Sequence, residues 1–368
     1  MKIMYCITSS SWGGAQLHVL ELCRDQVRRG NDVCFVVGNE GPLLDKIKEI
    51  KKIRIFLLPS LKRKVSPFSD FKSVFALRRL IKKEKPDILH LHSSKAGTIG
   101  RLAAVALREK TKVIFTVHGW AFTDGVPSKS KRCVYRFVEK LVSPLTTLFI
   151  CVSNYDKKIG IRDKVLTKQS KVVVVHNGSP EPPKKYVNFS VHNPVRLVMI
   201  ARFSSQKNQR MLINAMSNLN KELWNLTFVG DGETLNQCKE LVKKLNLNSN
   251  INFVGFKDDI SQYLIENDVY ILTSFYEGLP ISIIEAMSYG LPVVASNVGG
   301  NSELVKSEVN GYLINSQNEL ENVISRFIAS PKKIREMGEK SLERFKSALT
   351  LDGNLEKINT IYKKICDK

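Results

Sequence analysis

The stretch DVYILTSFYEGLPISIIEAMSYGLPVVAS (268–296) holds the reading on which the fold turns. DVYILTS is a short, almost wholly apolar β-rich run, and PVVAS is another. Between them Pro280 opens a helical pattern. Proline suits the first helical position because its missing N–H would be unpaired there anyway. The pattern predicts a helix from about Ile281 to Tyr289, with Gly290 as its stop. Strands apolar on both faces and joined through a helix imply a parallel sheet covered on both sides.

The same unit recurs in both directions. GYLI follows it; RLVMIAR, NLTFVGDG and INFVGF precede it. Farther upstream, KIMYCIT, DVCFVV, IRIFLLP, DILHLH, KVIFTVHG, TLFICVS and KVVVVH alternate with helical patterns such as AQLHVLELCRDQVRRG, which Gly30 stops. Only SPEPPKKYVNFSVHNP (179–194), with four prolines, breaks the alternation. The expected architecture is therefore α/β: a doubly wound domain over 1–178, a linker over 179–194, and a second doubly wound domain over 195–350. A terminal helix over 351–368 is expected to pack back on the first domain. Two such domains facing each other would set a ligand cleft at the carboxyl ends of their strands.

Composition narrows the class. The chain has 368 residues, 43% hydrophobic and 25% charged, which excludes a disordered polymer. No apolar run approaches the ~18 residues of a membrane-spanning helix. MKIMYCITSSSWGG has neither a separate basic region nor a small-residue cleavage site, so no signal peptide is read. Seven cysteines without a CxxC pair argue against a disulfide scaffold or a thiolate zinc site, and the expected compartment is the cytosol. The net charge of +22 is unevenly shared: residues 1–178 carry 34 basic and 14 acidic side chains, residues 179–368 carry 23 and 21. A net +20 in one half points to an acidic partner for that half, an anionic membrane surface or nucleic acid.

Several residue types sit where such a fold does chemistry. Glu277 precedes Gly278-Leu279-Pro280 and the helix start, whose amides and dipole suit a diphosphate. Glu285 lies eight residues on, about one turn inside the helix; two carboxylates flanking a phosphate site suit the hydroxyls of a sugar and of a ribose. IARFSSQKN (200–208) places Arg202 and Lys207 in a loop between a strand and a helix, where two cations could neutralise a diphosphate. Gly13 and Gly14 let the first strand–helix turn approach a ligand closely, although GxGxxG is absent. His118 ends a strand in TVHGWAFTDG (116–125), and a neutral imidazole there can donate to or accept from a sugar hydroxyl. His90 and His92, with one expected to face away from the other, read as supporting residues, not a metal pair. No cluster with metal-ligand spacing is present.

These motifs together resemble the retaining family-4 glycosyltransferases of the GT-B fold. The features are Glu-x7-Glu at 277–285, the Arg202/Lys207 pair, Gly13-Gly14 and VGGNSELV (298–305). SSKAGTIGRLAA (93–104), followed by TVHGWAFTDGVP, is similar to the bacterial members that build capsule, exopolysaccharide or O-antigen. The resemblance implies two Rossmann-like domains and a nucleotide-sugar donor, UDP-sugar in preference to GDP-sugar, held mainly by the second domain. Arg202 and Lys207 would face the diphosphate, Glu285 the ribose, and Glu277 the transferred sugar. Gly278, Leu279, Pro280 and Ile281 would lie along the phosphates, Phe256 and Lys257 near the base, and Gly14 and His118 on the acceptor-side domain. It further implies a metal-independent, cofactor-free hexosyl transfer to a lipid-linked, polyprenyl-diphosphate glycan at the inner leaflet. Gln16 stands where many relatives have an acid. The basic clusters 45–55, 61–64 and 129–132 and the stretch FSDFKSVFALRRLIKK (68–83) are candidates for the membrane surface. Two other readings compete: a sugar-nucleotide epimerase on the same architecture, and a basic nucleic-acid-binding protein, for which no binding motif is visible.

Overall fold

The computed structural model describes residues 1–107, 109–123, 128–187 and 189–367. It contains two compact units, Met1–His176 with Asn354–Lys368, and Asn177–Gly353.

The first unit is built on seven strands: β1 (Lys2–Ile7), β2 (Asp32–Val37), β3 (Ile53–Leu57), β4 (Ile88–His92), β5 (Lys112–Val117), β6 (Leu148–Cys151) and β7 (Val172–Val174). They form one parallel sheet in the order β3-β2-β1-β4-β5-β6-β7. Chain order reverses between β1 and β4, and that point on the carboxyl edge is where open α/β sheets bind ligands. Unbroken apolar strands follow from burial of both faces: Ile3, Met4, Val36, Leu89, Leu91, Val113 and Phe149 are all buried. The helix Leu351–Cys366 closes this unit. Its Tyr362 hydroxyl bonds the Tyr5 hydroxyl at 3.1 Å and His90 Nδ1 at 2.5 Å.

The second unit has β8 (Val195–Ile200), β9 (Trp224–Val229), β10 (Ile251–Phe253), β11 (Val269–Leu272), β12 (Val293–Ser296) and β13 (Gly311–Ile314). Their order is β10-β9-β8-β11-β12-β13, all parallel, with the switch point between β8 and β11. Among the described residues no helix is long and apolar enough to cross a membrane.

Three expectations need correction. The proline-rich segment 179–194 is no free linker but part of the second unit. The backbone N–H and Nδ1 of His192 both donate to Asp268 Oδ1, Ser179 pairs with the backbone at 349–351, and the Phe189 ring lies over Gly290. Proline content there marks an irregular path, and irregular chain can be fully anchored. The decisive helix starts at Ile281 as expected but ends at Ser288, one position early, and Pro280 precedes it in an extended conformation where the first helical position was expected. His90 and His92 face the same way, their ring centroids 4.2 Å apart, because residues two apart on a strand share a face.

Candidate active site

The second unit's switch point is bounded by two loops, Ala201–Asn208 after β8 and Thr273–Pro280 after β11. They are laced together. Phe275 N donates to Gln206 O (2.8 Å), Gln206 Nε2 to Tyr276 O (2.9 Å), and Thr273 Oγ1 to Asn208 O (3.1 Å). At their junction Lys207 Nζ forms a short, largely buried ion pair with Glu277 Oε1, which also accepts from Ser274 Oγ at 2.6 Å. Glu277 Oε2 takes no bond among the described residues, so one carboxylate oxygen is anchored and the other is available to a ligand. The sequence reading gave Lys207 and Glu277 separate duties; here each positions the other. Arg202 is exposed on the same loop and its guanidinium has no carboxylate partner among the described residues.

Two glycines shape this edge. A Cβ on Gly299, at φ +58°, would lie 1.9 Å from Glu277 O, so only glycine lets the 298–300 turn press against the Glu277 backbone. Gly300 N then donates to Gly278 O at 2.8 Å. Gly232, at φ +149°, sits against Phe203 O, where a Cβ would come within 2.1 Å, and this brings the turn after β9 beside Arg202. Neither was singled out from sequence as a site residue. The Gly-x-Gly of VGDG immediately after a strand was the available signal for Gly232.

Beyond Glu277, Gly278 and Leu279 complete the loop, with Leu279 O accepting from Asn177 Nδ2 at 2.8 Å. Pro280 leads into Ile281 and the helix start. Glu285 sits partly buried one turn in, with no cation near it among the described residues; burial alone pushes its carboxyl up to about 7. Phe256 and Lys257 follow β10 on an exposed loop. A polar depression lined by Asn225, Asn250, Asn252 and Glu266 lies at the amino ends of the strands, away from the edge where this fold binds ligands.

In the first unit, Gly13 precedes and Gly14 begins the helix Gly14–Arg28. Gln16 turns back to donate from Nε2 to Ser9 O at 3.2 Å, bracing the same loop. His118 lies just past β5, half-buried, its Nε2 3.0 Å from His92 Nδ1. Burial, reinforced by His18, holds its basicity well below the ordinary imidazole range. Residues 124–127 of the adjoining motif lie outside the described residues. Among the described residues no group of three or more His, Cys, Asp or Glu is placed to hold a metal ion.

A pair of Rossmann-like parallel-sheet units is the architecture of the GT-B glycosyltransferases, and the second unit sets carboxylates and cations beside one helix start. Comparison with known proteins agrees. Residues 12–180 match the family Glycosyltransferase Family 4, and residues 182–344 match Glycosyl transferases group 1. The chain is 33% identical over 348 residues, 90% of its length, to an Escherichia coli protein described as UDP-Gal:alpha-D-GlcNAc-diphosphoundecaprenol alpha-1,3-galactosyltransferase, of which it covers 88%. It is 30% identical to the E. coli O-antigen biosynthesis glycosyltransferase WbnH, covering 94% of this chain and 95% of that one. Among solved structures, Anabaena Alr3699/HepE in complex with UDP superposes with a TM-score of 0.80 at 21% identity, covering 99% and 100% of the two chains. This chain belongs to the family-4 glycosyltransferases and is a glycosyltransferase of bacterial surface-polysaccharide type. The epimerase and nucleic-acid-binding readings find no support in these likenesses.

Proposed function

We propose that this chain moves a hexose or N-acetylhexosamine from a UDP-sugar to a polyprenyl-diphosphate-linked glycan, with retention at the anomeric carbon and without metal or other cofactor. The observation that carries the reading is Glu277, anchored through Oε1 by Lys207 and Ser274 with Oε2 open, at the start of a helix on the switch point. The E. coli relative suggests galactose and a GlcNAc-diphospholipid as the first pair to try.

The mechanism follows from charge. As the anomeric C–O bond to the diphosphate breaks, positive charge grows on the sugar and negative charge on the departing UDP. Arg202, Lys207 and the amide end of the helix Ile281–Ser288 stabilise the leaving group, which is the task a divalent cation performs elsewhere. The acceptor hydroxyl attacks from the same face and forms the new C–O bond; its proton passes to an oxygen of the departing phosphate. Glu277 Oε2 holds a hydroxyl of the transferred sugar and Glu285 the ribose.

The acceptor lipid supplies the reason for a basic first unit, and we assign that unit to the anionic inner leaflet. Two helices support this assignment. Pro67–Glu84 buries Ser73, Leu77 and Ile81 but leaves Phe68, Phe71 and Phe75 more than half exposed. Lys129–Val142 does the same with Val134, Phe137 and Leu141. They carry ten basic and three acidic residues, and each acid is matched inward: Asp70 with Lys95, Glu84 with Arg54, Glu139 with Arg101.

Calorimetric titration with UDP, GDP and ADP tests the donor assignment. UDP is expected to bind most tightly, and Glu285→Ala to abolish that binding while the fold survives. A preference for GDP, or full UDP affinity in the variant, would overturn it.

A further inference from the structure

The carboxyl edge of the first sheet gathers four imidazoles: His18 from the helix Gly14–Arg28, His90 and His92 from β4, and His118 just beyond β5. Ring centroids are 4.2 Å apart for His90 and His92, 5.3 Å for His92 and His118, and 5.3 Å for His18 and His118, the last edge-on. His90 is fully engaged, by the Tyr362 hydroxyl at Nδ1 and by Thr116 Oγ1 at 2.7 Å from Nε2. His92 is different. Its Nδ1 lies 3.0 Å from His118 Nε2, and its own Nε2 is sealed from solvent with no partner among the described residues.

A neutral imidazole carries one N–H, and only two arrangements let this pair bond. In the first, His118 Nε2–H donates to His92 Nδ1, and the His92 proton must then sit on Nε2, a buried donor with nothing to receive it. In the second, His92 Nδ1–H donates to His118 Nε2, and the sealed His92 Nε2 is a bare lone pair. Orphaned buried N–H groups are rarer in folded proteins than under-satisfied acceptors, so the second arrangement is favoured. A charged pair is opposed by the surroundings. His92 is wholly buried, and the groups acting on it are His90, His118 and His18, with no carboxylate among them.

We propose that His92 is a positioning residue that locks His118 as the Nδ1–H tautomer, so that His118 meets the substrate as a hydrogen-bond donor and not as a base. With Nε2 committed to His92, the remaining nitrogen, Nδ1, has no partner among the described residues. It can give its proton to a hydroxyl oxygen of a sugar but has no lone pair with which to take one. This deepens the proposed function and rests on it insofar as His118 is taken to touch substrate; the tautomer itself stands independently of that reading.

The test has two arms. Long-range proton–nitrogen correlation spectra of the full chain, labelled with 15N-histidine, report which nitrogen of each ring carries hydrogen. His118 is expected to be protonated at Nδ1 and bare at Nε2 across pH 6 to 8; protonation at Nε2, or an imidazolium in that range, would overturn the proposal. The second arm is kinetic. His92→Asn keeps an N–H where Nδ1–H was and should retain activity. His92→Ala should release the His118 tautomer and lower kcat about tenfold, the scale of one hydrogen bond, with KM for the donor little changed. If His92→Ala does not fold, the spectra of the wild-type chain decide alone. Wild-type kcat and an unchanged His118 signal in His92→Ala would contradict the positioning role. If the wild-type chain neither binds UDP nor transfers sugar, the proposed function fails while the spectra still report the tautomer.

Discussion

At the scale of single residues, the account turns on two carboxylates in different electrostatic surroundings. Glu285 is raised by burial to about 7, above the roughly 4.3 of a free glutamate. The folded state therefore favours its protonated form, and the associated stability is lost as pH climbs from about 4 to about 7. Thermal melts of the free chain should fall over that interval, and those of Glu285→Gln should not. Ribose hydroxyls bond best to the ionised carboxylate, so UDP should bind more tightly at pH 8 than at pH 6, with the difference gone in Glu285→Gln; calorimetry at the two pH values reads it. Glu277 and Lys207 are coupled. Losing either leaves the other mostly buried and unpaired, at a cost of about 3 kcal/mol. The double substitution should cost less than the two singles together, as denaturant melts of all three variants would register. Both carboxylates were proposed from the sequence, because a glutamate on each side of Gly-Leu-Pro announces itself locally. That Lys207 holds Glu277 was not, since the two are seventy positions apart and meet only when β8 and β11 pair.

At the scale of elements, alternation of apolar strands and helices was enough to foresee two parallel sheets. The return of a terminal helix to the first domain was expected, but not the side chains that fasten it there. The helix Leu351–Cys366 enters the first unit through Tyr362, whose hydroxyl reaches His90 beneath the histidine cluster. Nothing in a terminal amphipathic segment tells which hydroxyl will find which ring. Likewise the prolines of 179–194 signalled irregular chain correctly and independence wrongly, because Asp268, which pins His192, lies far away in sequence. The helices Ser94–Ala103 and Lys129–Val142 are joined by Arg101 and Glu139, both fully buried and 2.7 Å apart, with Arg101 also over the Phe115 ring. Arg101→Ala should lower stability by about 3–5 kcal/mol by stranding Glu139. Arg101→Met with Glu139→Leu should recover most of that in the same denaturant melts, and leave UDP binding intact.

At the scale of the whole molecule, the charge asymmetry and the exposed aromatic residues bear on one question, where the enzyme works. Within the stretch 68–83 the structure divides the apolar residues, with Val74 against the core and Phe71 and Phe75 outward. Sedimentation with vesicles containing phosphatidylglycerol should carry the chain down, and pure phosphatidylcholine should not. Phe71→Ser with Phe137→Ser should reduce binding at least tenfold without affecting affinity for UDP. Retention of full vesicle binding by that variant would remove these helices from the membrane account. The most direct test of the central claim is transfer itself. The full chain is incubated with GlcNAc-diphosphoundecaprenol and, in turn, the common UDP-hexoses and UDP-N-acetylhexosamines, and the lipid is followed by mass spectrometry. The account predicts that one donor adds a single sugar residue, in the anomeric configuration it had in the donor, and that Glu277→Gln slows this by about a hundredfold or more. No mass gain from any UDP-sugar by folded, UDP-binding protein, or a product with inverted configuration, would contradict it.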